Sequence, residues 1–204
     1  MAVDTFDLDS GALGLDFANT VEWHASDHPQ DKLHDYAGLL AWAEAAKSVS
    51  ADQARRLREL ATRQPQKAQA AFERAIELRE TIYRLFAAYA GQGAVNAQDL
   101  AAFNQALGAA MSKAQVAPGA DGFEWSWLET EPDFDELIWP VARSAANLLT
   151  ADTLERVRQC ADDRGCGYLF VDTSRNRSRR WCSMESCGNR AKAQRHYERH
   201  KQQR

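Results

Sequence analysis

Apolar side chains recur every three or four positions through most of residues 10–150, the period of helices that bury one face. The clearest stripe follows Asp35, with Tyr36, Leu39, Leu40 and Ala43. Ser50-Ala51-Asp52-Gln53 has the form of a capping box and opens a second helix through Ala54, Leu57 and Ala61. Pro65 suits the first turn of a third, where its missing N–H costs no intrahelical bond. Its stripe of Ala68, Phe72, Ala75, Ile76, Arg79, Ile82, Tyr83, Phe86 and Ala90 stops at Gly91. At the rise of an α-helix it spans about 40 Å, which makes it the central helix. Asn96 is placed to cap a fourth, with Leu100, Phe103, Leu107 and Met111 inward. Upstream, Leu13, Phe17 and Val21 fit a short helix capped by Ser10, although Leu13, Leu15 and Phe17 also fit strand alternation.

The helical period lapses between Ala114 and Glu131. Pro118-Gly119-Ala120-Asp121-Gly122 is turn chemistry, and Phe123, Trp125 and Trp127 alternate with polar residues, which predicts a hairpin with one aromatic face. That face is expected to pack on the helices; an exposed platform for bases or a hydrophobic ligand is the alternative. A helix from Pro132 through Leu137, Ile138, Val141, Ala145, Leu148 and Leu149 is expected to kink at Pro140. A short helix over 153–159, capped by Thr150 or Asp152, then delivers Cys160. His24, His28 and His34 with Asp27, Asp31 and Asp35 share no common face and read as a solvated loop. Arg79 interrupts an apolar stripe; a partly exposed arginine laying its stem on the core is expected, ahead of a buried pair with Glu80 lining a pocket.

Cysteine usage changes the picture. All four cysteines, Cys160, Cys166, Cys182 and Cys187, fall in the last forty-five residues at C-x5-C-x15-C-x4-C spacing. Four soft ligands in two close pairs match the tetrahedral shell of Zn2+, and short chelate loops bring each pair to the metal at small entropic cost. The intervening segment has the capacity to fold back: 168–172 alternates like a strand, 173–178 is turn chemistry, and Arg179-Arg180-Trp181 leads into the second pair. Gly167 and Gly188 follow a cysteine each, where the backbone must turn tightly. Disulfides are one rival. However, Asp4, Asp7, Asp9 and Asp16 interrupt any apolar leader, so a cytoplasmic, reducing location is expected, where clustered cysteines are metal ligands. A site using Cys182, Cys187, His196 and His200 is another rival; it leaves only eight residues between its pairs and strands Cys160 and Cys166.

These residues carry a resemblance. Trp181-Cys182-Ser183-Met184, followed by Cys187-Gly188-Asn189-Arg190-Ala191-Lys192, resembles the CGNR zinc finger, and Leu169-Phe170-Val171-Asp172-Thr173-Ser174 is similar to the hairpin that precedes it there. That family joins the finger to an N-terminal helical domain called ABATE, described as a stress-induced transcription regulator. Leu15-Asp16-Phe17-Ala18-Asn19-Thr20 resembles the domain's opening motif, and Asp35-Tyr36-Ala37-Gly38-Leu39-Leu40-Ala41-Trp42 its next helix. The resemblance implies zinc binding by the four cysteines and a nucleic-acid role. The expected fold is mostly α: a helical ABATE-like domain with a short β-hairpin over 1–152, and a CGNR-type hairpin-helix zinc unit, zinc-ribbon or treble-clef like, over 153–204.

Charge points the same way independently. Residues 1–150 hold 12 basic and 22 acidic groups, net −10, whereas 151–204 hold 13 and 7, net +6. Such a concentration of cations is a footprint for a polyanion, with a merely solvated tail as the alternative. The final helix has too narrow an apolar stripe to be a core helix. Arg175, Arg177, Arg179, Arg180, Lys192, Arg195 and Arg199 are candidates for phosphates, and Asn176, Asn189 and Arg190 for base edges. Asp16 and Asn19, polar among apolar neighbours, are candidate ligand-binding residues together with Arg79, although a structural hydrogen-bond network is the expected role of the first two.

No phosphate-binding glycine loop, nucleophile elbow or H-E-x-x-H pair is present, and a four-cysteine zinc site leaves no position for catalytic water, so no enzyme is expected. No apolar run is long enough for a membrane span. Two readings follow: a DNA-binding transcriptional regulator whose helical domain senses a small-molecule or protein effector, or an RNA-binding or protein-interaction module without operator specificity.

Overall fold

The computed structural model describes residues 6–128 and 132–202, the side chains of residues 195, 196, 198 and 202 excepted. It is mostly helical, with short antiparallel hairpins. The chain runs α1 (Leu13–Ala18), β1 (Val21–Glu22), β2 (Gln30–Asp31), α2 (Tyr36–Ala45), α3 (Ala51–Arg63), α4 (Pro65–Ala90), α5 (Ala97–Met111), β3 (Ala114–Gly119), β4 (Gly122–Trp127), α6 (Trp139–Leu149), β5 (Val157–Gln159), β6 (Leu169–Val171) and α7 (Asn189–Gln202). One apolar core, with Phe17, Trp42, Ile82, Phe86 and Val141 fully buried, is organised on α4, which touches α1, α2, α3, α5, β5 and β6.

The capping chemistry is as expected at two helices, and Asp35 adds a cap at a third. Asp35 accepts from Gly38 N at 2.7 Å, Ser50 and Gln53 form both bonds of the capping box, and Asn96 accepts from Gln98 N at 2.8 Å. Pro65 lies in the first turn of α4. Ser10 does not cap α1: Ala12 occupies that position, while Ser10 donates its N–H to Asp16 Oδ1 at 3.0 Å and its hydroxyl to Ala12 O. Leu100 and Met111 also depart from expectation, being 44 % and 36 % exposed. The inward face of α5 is turned to Phe103, Ala106, Leu107 and Ala110, because the small alanines allow close approach to α4 and α6.

No single kinked helix follows the hairpin. Asp133 and Glu136 cap a 3-10 turn, Phe134–Leu137, and α6 begins afresh at Trp139 with Pro140 in its first turn, where a missing N–H is harmless. Ahead of Cys160, a 3-10 turn at Asp152–Arg156, preceded by Ala151 without a side-chain cap, gives way to β5 rather than to a continuous helix. Buried Val157 favours the extended form by pairing with Val171 of β6.

The β3–β4 hairpin pairs Ala114 with Trp127, Val116 with Trp125 and Pro118 with Phe123, so all six share one face. Its base is covered: Trp127 meets Trp139 at 5.8 Å, and the Arg143 guanidinium lies over Trp125 and Trp127. Its tip is open, with Phe123 83 % and Val116 63 % exposed.

Candidate metal centre and basic face

The four cysteine sulfurs converge within 4.8 Å of one another. Cys166 and Cys182 are 3.8 Å apart and Cys182 and Cys187 3.6 Å. A tetrahedron with Zn–S bonds of about 2.3 Å has an edge of about 3.8 Å, whereas a disulfide needs about 2.05 Å, so the spacing fits a shared cation and not a covalent pair. Hydrogen bonds with Cys166 and Cys182 push the Cys160 thiol down to about 2, while Cys166 is pushed up to about 12 by its bond with Cys160. Cys182 is raised by its contacts with Cys160 and Cys166, and Cys187 by burial. Four thiolates crowded this closely would repel one another, and a dication such as Zn2+ would offset that charge.

The ligands are set by short elements. Cys160 continues β5, its N–H reaching Tyr168 O at 2.8 Å, and Gly167 sits at φ 72° to bring Cys166 round. The partner of β6 is β5, upstream of the first ligand, and not the 179–181 segment, because Asp172 draws 173–179 into a turn. Fully buried Asp172 accepts from Ser174 N at 2.8 Å and Arg179 N at 3.0 Å. Burial works against its charge, but these bonds hold its carboxyl below the usual range. Ser183 caps a π-helical turn at Met184–Gly188 that presents Cys187 and runs into α7. Gly188 lies within this helical turn and not at a positive φ; a Cβ there would meet first the end of the half-exposed Met184 side chain, 2.8 Å from its Sδ.

The unit is docked on the helices. Val171 N bonds Ser10 O, Tyr168 Oη bonds Asp9, and Gln159 donates to Tyr83 Oη at 2.8 Å. Val157 and Leu169 are fully buried in the main core, whereas Phe170, Trp181 and the cysteines make a small second cluster.

The expected basic residues divide. Arg175, Asn176, Arg180, Lys192 and Arg199 are exposed, Arg180 lying over Trp181. Arg177 is exposed but pairs with Glu155 at 2.6 Å, and Asn189 donates to Glu185 O. Arg179 is turned inward, stacked over Phe170 and donating to the carbonyls of Trp181 and Cys182. Arg190 donates to Cys187 Sγ at 3.0 Å. The side chains of Arg195 and His196 lie outside the described residues.

Residues 11–152 match the family described as ABATE, putative stress-induced transcription regulator, and residues 156–200 match the CGNR zinc finger. The chain belongs to the ABATE family. No curated protein matches it.

In the ABATE region, Asp16 accepts from Ser10 N. Asn19 clasps the backbone of β6, donating to Leu169 O at 2.8 Å and accepting from Leu169 N at 2.9 Å. Arg79 is 3 % exposed, contrary to the expectation of a partly exposed side chain. It makes a bidentate pair with Asp31 at 2.7 Å and another pair with Glu80. Grooves of about 880 Å³ beside α3 and about 510 Å³ between α4 and α5 are lined by other residues, including Leu60 and Lys113 in the first and Leu78 and Trp139 in the second. The 23–31 stretch is not simply a solvated loop, because His24 stacks on Tyr83 at 3.5 Å and meets Glu80 at 2.9 Å. No motif or period in the sequence distinguishes Trp23, Asp162 or Arg164. Trp23 sits among polar neighbours, and only its bulk there hints at a covered position.

Proposed function

We infer that this ABATE protein binds Zn2+ through Cys160, Cys166, Cys182 and Cys187 and uses the zinc-pinned unit to grip nucleic acid, DNA before RNA, as a transcriptional regulator. The metal supplies a structural cross-link. The residues of the chain then hold the turn at 173–178 and the start of α7 rigid. The observation that carries the reading is the exposure of Arg175, Asn176, Arg177, Arg180 and Lys192 on this one small unit, while the domain beneath is net acidic. Cations on two rigid elements can straddle a phosphate backbone, and Asn176 has the amide that reads base edges. Arg179 and Arg190 serve this interface indirectly, by holding the metal loops. The helical domain supplies the regulatory input from a small-molecule or protein effector. The reading includes no catalysis, since four protein sulfurs complete a zinc shell.

A protein-interaction module is the second reading, favoured by the open aromatic tip of the β3–β4 hairpin. Selection of bound fragments from genomic DNA and total RNA with zinc-loaded protein separates them. Enrichment of duplex DNA is expected; enrichment of RNA alone, or of neither polymer, would overturn the proposal.

A further inference from the structure

The cysteine cluster is joined to the central helix through Arg190, Trp23 and the neighbouring residue of the same loop, His24. Trp23, in the loop after β1, is held at φ 55°, a conformation that a bulky residue adopts only under constraint. Its ring is flanked by two guanidinium groups, those of Arg164 at 5.1 Å and Arg190 at 5.0 Å. Arg164 is fixed by a bidentate pair with Asp162 at 3.0 and 2.9 Å. Arg190 donates to Cys187 Sγ at 3.0 Å and reaches the same Asp162 at 3.4 Å. On the other side, His24 stacks on Tyr83 and bonds Glu80, both on α4. Two glycines permit this approach: a Cβ at Gly165 would lie 2.6 Å from Ser26 Cα, and one at Gly167 2.7 Å from Ala25 N.

We propose that Arg190 and Trp23 form a clamp through which the metal-bound sulfur of Cys187 orders the 23–26 loop of the helical domain, so that metal loading and loop order reinforce each other. A zinc-bound sulfur keeps negative charge and accepts a charge-assisted bond from the arginine, which holds the guanidinium over the indole. Partners of metal ligands orient them and tune affinity. Coupling between two sites is reciprocal, so if zinc orders the loop through this clamp, loosening the loop at Trp23, outside the finger, weakens zinc binding. The inference rests on the zinc-binding reading and is independent of nucleic-acid binding.

The test is zinc affinity of the full chain, measured by competition with a chromogenic chelator, together with hydrogen exchange of residues 23–26 with and without zinc. Arg190→Ala is expected to weaken zinc about 10- to 100-fold. Arg190→Lys should recover only part of this, because an ammonium lacks the planar fork. Trp23→Ala should weaken zinc about fivefold or more, and the double variant should be no weaker than Arg190→Ala alone, within about twofold. Trp23→Phe, which keeps a ring, should retain most of the affinity and provides a folded comparison if the alanine variant is unstable. Loop exchange should slow on zinc loading in the parent and not in Arg190→Ala. The clamp is refuted if the parent binds zinc and Arg190→Ala, or a folded Trp23→Ala, matches it within twofold, or if loop exchange in the parent ignores the metal. A parent that binds no zinc would instead sink the metal reading beneath it.

Discussion

Asn19→Ala removes the side chain that ties α1 to β6. Asn19 is 7 % exposed, and its amide bonds both backbone groups of fully buried Leu169. Leaving a buried donor or acceptor without its partner costs about 1–3 kcal/mol, so two such groups, partly relieved by relaxation, put the loss near 3 kcal/mol. For a chain of this size that corresponds to a fall in Tm of about 6–12 °C. Urea titration and calorimetry of the zinc-loaded protein measure it. Asn19→Asp should be no better, because it keeps the acceptor for Leu169 N but sets a carboxylate against Leu169 O. Leu169 belongs to the main core, so the loss should persist when zinc is chelated. A Tm within about 1 °C of the parent would refute the reasoning and reopen Asn19 as a ligand-binding residue.

Glycine variants test packing with opposite signs. Gly14→Ala places a Cβ 2.9 Å from Ala145 and should cost about 1–3 kcal/mol, whereas Gly108→Ala, with nothing within 4 Å on exposed α5, should stabilise by about 0.5–1 kcal/mol; chemical denaturation reads both. Burial works against the charge of Glu80, but His24 and Arg79 outweigh it and lower its pKa below 4.5. Its contribution is therefore complete above pH 4.5 and lost as pH falls through the lowered value, and Glu80→Gln should flatten stability against pH in that acid window. Asp16 is the reverse case, raised above 3.8 by burial although Ser10 opposes the shift. Folding penalises its charge once pH passes the raised value, so Asp16→Asn, which keeps an acceptor for Ser10 N, should be at least as stable as the parent at pH 7. That advantage should vanish below pH 3.8, while Asp16→Ala should be less stable throughout. Chelation should release α7 and the ligand loops but leave β5–β6 protected from hydrogen exchange, since Val157 and Leu169 are 0 % exposed in the main core.

Helices α2 to α5 were legible because period, caps and proline position agree along a local stretch, which is what a one-dimensional pattern records. The cysteine cluster was legible for a chemical reason, as four cysteines in two close pairs at chelating spacing point to one shared metal ion. What the sequence hid depends on distant partners. Leu100 and Met111 fit the helical stripe of α5, yet alanines face the core because α4 and α6 approach closely. In the sequence Pro140 reads as a kink in a continuous helix, but Asp133 with Glu136 caps a separate turn and leaves the proline in the first turn of α6. Arg79 is buried because Asp31, forty-eight residues away, reaches it. Arg179 and Arg190 carry the same charge as Arg175 and Lys192, and no pattern distinguishes an arginine that holds a metal loop from one that faces solvent.

The salt dependence of duplex binding by zinc-loaded protein bears most directly on the proposed role of the finger. If about five exposed cations meet phosphates, log K should fall with log salt at a slope of about −4.5. Replacing Arg175, Arg177 and Lys192 together by alanine should flatten that slope by up to about 3 units without releasing zinc, since none of them touches a ligand sulfur. Equal slopes and affinities for parent and triple variant at every salt concentration, or a parent that binds neither DNA nor RNA, would contradict it.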